Sequence, residues 1–233
     1  MTAGTPGQGA PIPAGRPAPG APAPGPLLVV VDLQRVFGEP SSPWCTPGFD
    51  TIVEPVGRLV AAYGERVAFT RFLVPEVPEG SWTGYYELWP FAREAAAAPL
   101  LDLVAPFAGT RHRLVEKPTF SKWGPELRAL AGASRTLVLC GVATDCCVLA
   151  TAVAAADAGM YVRVVADACR GIDDAAHERA LAVLAGFPPQ IELTTVDREL
   201  SAARAAAAFE QRPSIAGRAG PRYVPSPGRT WRS

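Results

Sequence analysis

The chain has 233 residues, 48% of them hydrophobic and 19% charged, with a formal net charge of +0. That length suits one domain with a substantial core, and the balanced charge removes any electrostatic case for nucleic acid or an anionic membrane as partner. No apolar run approaches the roughly 20 residues of a membrane span. Five cysteines, an odd number without regular spacing, point to a reducing cytoplasm rather than a disulfide framework. With two histidines and no CxxC pair, the sequence offers no set of metal ligands, and no cofactor is expected.

Residues 1–26 are almost entirely Ala, Pro, Gly and Thr and read as an extended tail that cannot bury a core. Residues 27–211 read as the folded domain, and residues 212–233 as a second, arginine-bearing tail. Leu27 to Val31 is a continuous aliphatic run delivering Asp32 at its end, the pattern of a central parallel strand. Helical spacing follows over Thr51 to Tyr63, with Pro55 tolerable near the first turn and Gly64 as the stop. Val67 to Thr70 is a second strand. Phe72 to Phe91 reads as an irregular segment carrying Trp82, Tyr85, Tyr86 and Trp89, a lid or a subunit contact.

Ala92 to Phe107 is expected to be partly helical, Arg113 to Glu116 a third strand ending at Lys117, and Pro125 to Ala131 a short helix. Leu137 to Cys140 is a fourth strand, and the chain turns at Gly141 into an Ala-rich helix closed by Gly159. Tyr161 to Ala166, a helix over Asp174 to Ala185, Ile191 to Val196 and a last helix from Asp197 to Glu210 with Asp197 as its N-cap complete the pattern. Strands alternating with helices imply an α/β domain, a central six-stranded parallel sheet covered on both faces.

Ligands of open parallel sheets collect outside the carboxyl ends of the strands. Asp32, Lys117 and Cys147 all belong to that edge. With Thr144 as N-cap and Asp145 in the first turn, Cys146 and Cys147 fall where a helix N-terminus stabilises a thiolate. The competing reading makes both thiols small core hydrophobes. If one is a nucleophile, Asp32 is a better placed base than His112 or His177, Lys117 holds charge, and backbone N–H groups around Ala143 and Cys147 supply an oxyanion site.

Three stretches carry a resemblance. VVDLQ on the first strand, EKPTFSKW on the third and GVATDCCVLATAVAAADAG on the fourth resemble the signature regions of the isochorismatase-like cysteine hydrolases over roughly residues 27–200. The resemblance implies an isochorismatase-like three-layer fold with Asp32, Lys117 and Cys147 as the catalytic set. It also implies a cis peptide before Ala143 and a homodimer or larger homo-oligomer acting on a small molecule. The cysteine follows the T-D-x-C-V motif, which leaves Cys146 at the variable position. Nicotinamidases of the family carry an Asp-x-His metal cluster after the second strand, and TRFLVPEVPEG has no histidine there.

The expected chemistry is therefore metal-independent cleavage of an amide, ureido or carbamoyl bond through a thioester. Vinyl-ether hydrolysis with Asp32 as acid is the alternative, and a non-catalytic scaffold the third reading. Gln34, Arg71 and Trp123 are the substrate-binding candidates. Each has a second reading: a loop cap for Gln34, a surface ion pair for Arg71 and a core or interface tryptophan for Trp123.

Overall fold

The computed structural model describes residues 25–210, so the expected tails lie outside the described residues except for Gly25 and Pro26. Strands Leu27–Val31 (β1), Val67–Phe72 (β2), Arg113–Lys117 (β3), Thr136–Val142 (β4), Tyr161–Arg170 (β5) and Ile191–Thr194 (β6) form one sheet in the order β3-β2-β1-β4-β5-β6. Every neighbouring pair is parallel. β1 and the first part of β4 are continuous aliphatic runs because both of their faces are covered.

The helices are Arg35–Gly38 (α1), Phe49–Tyr63 (α2), Ser81–Leu88 (α3), Pro125–Ala131 (α4), Leu149–Asp157 (α5), Asp174–Leu184 (α6) and Val196–Glu210 (α7). α2 and α7 pack against each other and on β5, while α5 and α6 pair and meet β5 and β6. The buried stripe of α2 is Phe49, Ile52, Val56 and Leu59, one face of a 3.6-residue period. Pro55 lies in the second turn of that helix, further in than the expected first turn. Among the described residues no helix is long and apolar enough to cross a membrane.

Strand order reverses between β1 and β4, which makes that pair the topological switch point where ligands bind in such sheets. Gly141 permits the close approach there. Its φ is +112°, and a Cβ on it would stand 2.1 Å from the Val31 carbonyl oxygen. The pairing of β4 with β5 shifts register between Leu139 and Gly141, so β5 continues to Arg170 instead of stopping at Ala166.

Three local expectations are corrected. The aromatic segment is not irregular throughout: the proline-free run from Glu79 to Trp89 contains α3, followed by 3₁₀ turns over Pro90–Arg93, Ala95–Leu101 and Ala105–Phe107. Aromatics and Gly84 are weak helix formers, and packing of Trp82, Tyr85 and Tyr86 in a second apolar cluster with Trp44 and Phe72 overrides that weakness. Asp197 does not cap α7. The Arg198 N–H donates to Thr195 Oγ1 at 3.4 Å instead. Between β4 and α5 the chain makes a π-turn over Thr144–Val148, so Thr144 is inside the turn, and its hydroxyl meets His177 Nδ1 at 2.9 Å.

Candidate active site

Asp32 follows β1 on the C-terminal edge of the sheet. Its φ of +49° is unusual for a residue with a side chain, and its side chain is 0% exposed. Thr70 on β2 holds it from two sides: Thr70 Oγ1 accepts the Asp32 N–H at 3.1 Å and donates to Asp32 Oδ1 at 2.6 Å. The other carboxylate oxygen, Oδ2, faces the Nζ of Lys122 at 3.0 Å, both side chains being 0% exposed. That contact is electrostatic rather than a directed hydrogen bond, and among the described residues Oδ2 accepts no hydrogen bond. A lone pair there remains for a proton.

Lys122 is fixed as firmly as its partner. Its Nζ donates to the Thr119 carbonyl at 2.8 Å and stands 4.7 Å from the centre of the Phe72 ring. Its own N–H donates to Thr151 Oγ1 at 2.8 Å, tying the loop after β3 to α5.

Cys147 lies in the π-turn, buried, at the wall of a cavity of about 180 Å³. A hydrogen bond with Cys146, then burial, then the Asp32 carboxylate push its thiol well above the ordinary range, and the Lys122 ammonium only partly opposes them. The resting group is a thiol, not the thiolate expected of a helix N-terminus. It needs a base, and the carboxylate whose charge acts on it is Asp32. The Val142–Ala143 peptide is cis, and Ala143 lines the same cavity. His177, buried against Thr144, has its pKa lowered by burial first and then by Arg170, so its ring is neutral.

The structure brings Asp32 and Cys147 to one place and keeps Lys117 out of it. Lys117 Nζ donates to the Trp123 carbonyl at 2.8 Å. Burial and the Lys122 charge lower its pKa, Glu126 opposes them, and no effect of Asp32 is resolved. The cation that meets Asp32 is Lys122, five residues further on. The expectation for Lys117 rested on its place at a strand end. The loop that follows folds back far enough to carry the later lysine to Asp32.

The three substrate-binding candidates take their second readings. Gln34, 0% exposed, gives Nε2 to the carbonyls of Phe72 and Leu101 and accepts the Phe72 N–H at 2.8 Å, a clamp on backbone. Arg71 pairs with Glu116 and with Asp102 and lines a separate cavity beside Leu114. Trp123 packs partly against the core and borders a different hollow with Pro125 and Arg128. Phe120, three residues earlier, is the aromatic of that motif in the Cys147 cavity. Trp44, Phe37, Phe72, Tyr85 and Trp89 join it there. The sequence marked Phe72, Tyr85 and Trp89 as part of one aromatic segment, without an indication of which rings face the thiol. Among the described residues no group of three or more His, Cys, Asp or Glu side chains comes together as a metal would require.

A doubly wound parallel sheet carries a thiol, a carboxylate and an ammonium near its switch point. Residues 26–198 match the family model described as Isochorismatase domain. The chain belongs to that family and is a hydrolase. Among solved structures it is similar to a cysteine hydrolase from Pseudomonas syringae pv. phaseolicola 1448A, at 22% identity and a TM-score of 0.66, covering 76% of this chain and 92% of that one. N-carbamoylsarcosine amidase from Thermoplasma acidophilum matches at 20% identity and TM-score 0.58, with 74% and 97% covered. Nicotinamidase from Bacillus subtilis matches at 20% and 0.58, with 71% and 97% covered. At these identities the likeness is one of fold. No curated protein matches the chain.

Proposed function

We propose that this hydrolase cleaves the C–N bond of a small amide, ureido or carbamoyl compound through a thioester on Cys147, with Asp32 as base and Lys122 in the place expected of Lys117. The sealed Asp32–Lys122 pair, whose charges both act on Cys147, is the observation that carries the reading. As the Cys147 sulfur attacks the carbonyl carbon, its proton passes to Asp32 Oδ2, the carboxylate oxygen with a spare lone pair. The N–H groups of Ala143 and Cys147 take the oxyanion. Asp32 returns the proton to the leaving nitrogen, the C–N bond breaks, and water then hydrolyses the thioester to acid and free thiol. Lys122 Nζ, 3.0 Å from Asp32 Oδ2, stays paired with that carboxyl group through both transfers. That two of the fold neighbours bear the names of amidases agrees with this choice of bond.

Five free cysteines fit a reducing cytoplasm. Leu88, 77% exposed at the end of α3, and Val77, 74% exposed before it, fit a homo-oligomer joined through the aromatic segment.

The test is ammonia release across a panel of small primary amides and ureido compounds, with mass spectrometry of quenched enzyme. An acyl adduct on the Cys147 peptide, and no release by Cys147→Ala, is the expected result. Undiminished turnover in that variant would refute the thioester and favour acid catalysis by Asp32.

A further inference from the structure

The turn that carries Cys147 is wider than a turn of α-helix. The Ala143 carbonyl accepts the Cys146 N–H and the Val148 N–H, both at 3.0 Å, and the second of these bonds closes over five residues. Such a turn lacks the regular bonding of an α-helix, so its neighbours decide where the sulfur stands.

Two side chains of the turn reach outward, and both reach one segment, the connection from β5 into α6. Thr144 Oγ1 meets His177 Nδ1 at 2.9 Å, and Asp145 Oδ1 accepts the Ile172 N–H at 3.0 Å. Thr144 is 0% exposed and His177 7%, so little water competes for their bond. The segment is itself anchored: Asp173 Oδ1 accepts the Ala176 N–H at 2.6 Å as the N-cap of α6. Gly171 lets turn and helix close on each other. A Cβ on it would stand 2.8 Å from Asp145 Oδ1 and 2.9 Å from the backbone nitrogen of His177. Burial and then Arg170 keep the His177 ring neutral against Glu178, Asp174 and Asp145, so the bond to Thr144 joins two uncharged groups. Neither Thr144 nor His177 is among the described residues that line the Cys147 cavity.

Resting on the reading of Cys147 as nucleophile, we propose that His177 is a positioning residue for the reaction: through Thr144 it fixes the turn that presents the Cys147 sulfur to the cavity. Loss of the bond lets the turn shift, and a misplacement of about 1 Å at a reacting atom costs on the order of 100-fold in rate.

The experiment compares the wild type with His177→Phe, His177→Asn and Thr144→Val, each shown by circular dichroism to be folded at the assay temperature. Asn sets an amide near the place of Nδ1 and keeps a donor and an acceptor there, whereas Phe and Val offer neither. Thr144→Val keeps the shape of its residue and carries the test alone if His177→Phe does not fold. Iodoacetamide alkylation of Cys147, resolved from Cys146 by mass spectrometry, is followed against pH. In His177→Phe and Thr144→Val the midpoint is expected to fall by about half a pH unit or more toward an ordinary thiol, as the sulfur leaves its buried place, and His177→Asn to restore it. Acyl transfer is read with p-nitrophenyl acetate: the Cys147 sulfur takes the acetyl group, the C–O bond breaks, and p-nitrophenol leaves with the thiol proton. Acetylation is expected to slow about tenfold or more in the first two variants and to recover in His177→Asn. An unmoved midpoint with undiminished acetylation in Thr144→Val, or no recovery in His177→Asn, overturns the inference. If the wild type is not acetylated at Cys147 while the midpoints move as expected, the thioester reading fails and the hold of His177 on the turn stands.

Discussion

Replacing Lys122 by Met removes one charge from a pair sealed 3.0 Å apart and leaves the Asp32 carboxylate buried without a cation. At that distance and an effective dielectric of about 20, the lost attraction is about 5 kcal/mol, in line with the roughly 3–5 kcal/mol that breaking a buried pair costs. For a domain of this size the loss lowers Tm by about 6–20 °C. Lys117→Met forfeits one bond to the Trp123 carbonyl and is expected to cost about 1–2 kcal/mol. Urea and thermal unfolding at neutral pH compare Lys122→Met, Lys117→Met, Asp32→Asn and the Asp32→Asn/Lys122→Met double variant. The double variant is expected to lose well under the sum of its singles, a coupling above about 2 kcal/mol. Additive losses at positions 32 and 122, or a larger loss from Lys117→Met than from Lys122→Met, would refute the assignment of the cation.

Two more outcomes follow from the thiol and its neighbours. Cys146→Ala removes the leading cause of the raised Cys147 pKa, so the midpoint of the pH–rate profile for iodoacetamide alkylation of Cys147 moves down and the rate at fixed pH rises several-fold; an unmoved midpoint contradicts the geometry. His177→Phe strands the buried Thr144 hydroxyl at a cost of about 1–3 kcal/mol. Because burial lowers the His177 pKa in the fold, the unfolded chain binds the extra proton first. The stability of the native protein is full above about pH 6.5 and declines as pH falls through the folded value. Unfolding curves of His177→Phe should lack that part of the decline.

The sheet was readable because its strands are short aliphatic runs cut off by an acid, a glycine or a lysine: Leu27 to Val31 before Asp32, Leu137 to Cys140 before Gly141. Those signals are local, and they place Asp32 and the Cys146–Cys147 pair on one edge without knowledge of any contact. Lys122 was not readable in the same way. It sits in Phe120-Ser121-Lys122-Trp123, a stretch without period, and which of two lysines reaches Asp32 depends on the path of a loop pinned by Thr151 from α5. The aromatic wall was missed for a related reason. Phe37 and Trp44 come from the connection between β1 and α2, Tyr85 and Trp89 from that between β2 and β3, and neither sequence spacing nor propensity says that they close over the same thiol. The π-turn escaped because Thr144 has the chemistry of an N-cap, while the structure spends its hydroxyl on His177.

Asp32, Thr70 and the Val142–Ala143 turn sit at the ends of central strands, whereas the rings around the ligand space come mostly from connecting segments. In the proposed reaction, the bond-breaking groups and the groups that choose a molecule thus come from different parts of the polymer. Connecting segments accept exchange and insertion far more readily than buried strands. On that proposal, a change of substrate calls for alterations in Phe37, Trp44, Tyr85 or Ile172 and none in Asp32 or Cys147, so the scaffold is open to retargeting through its connecting segments.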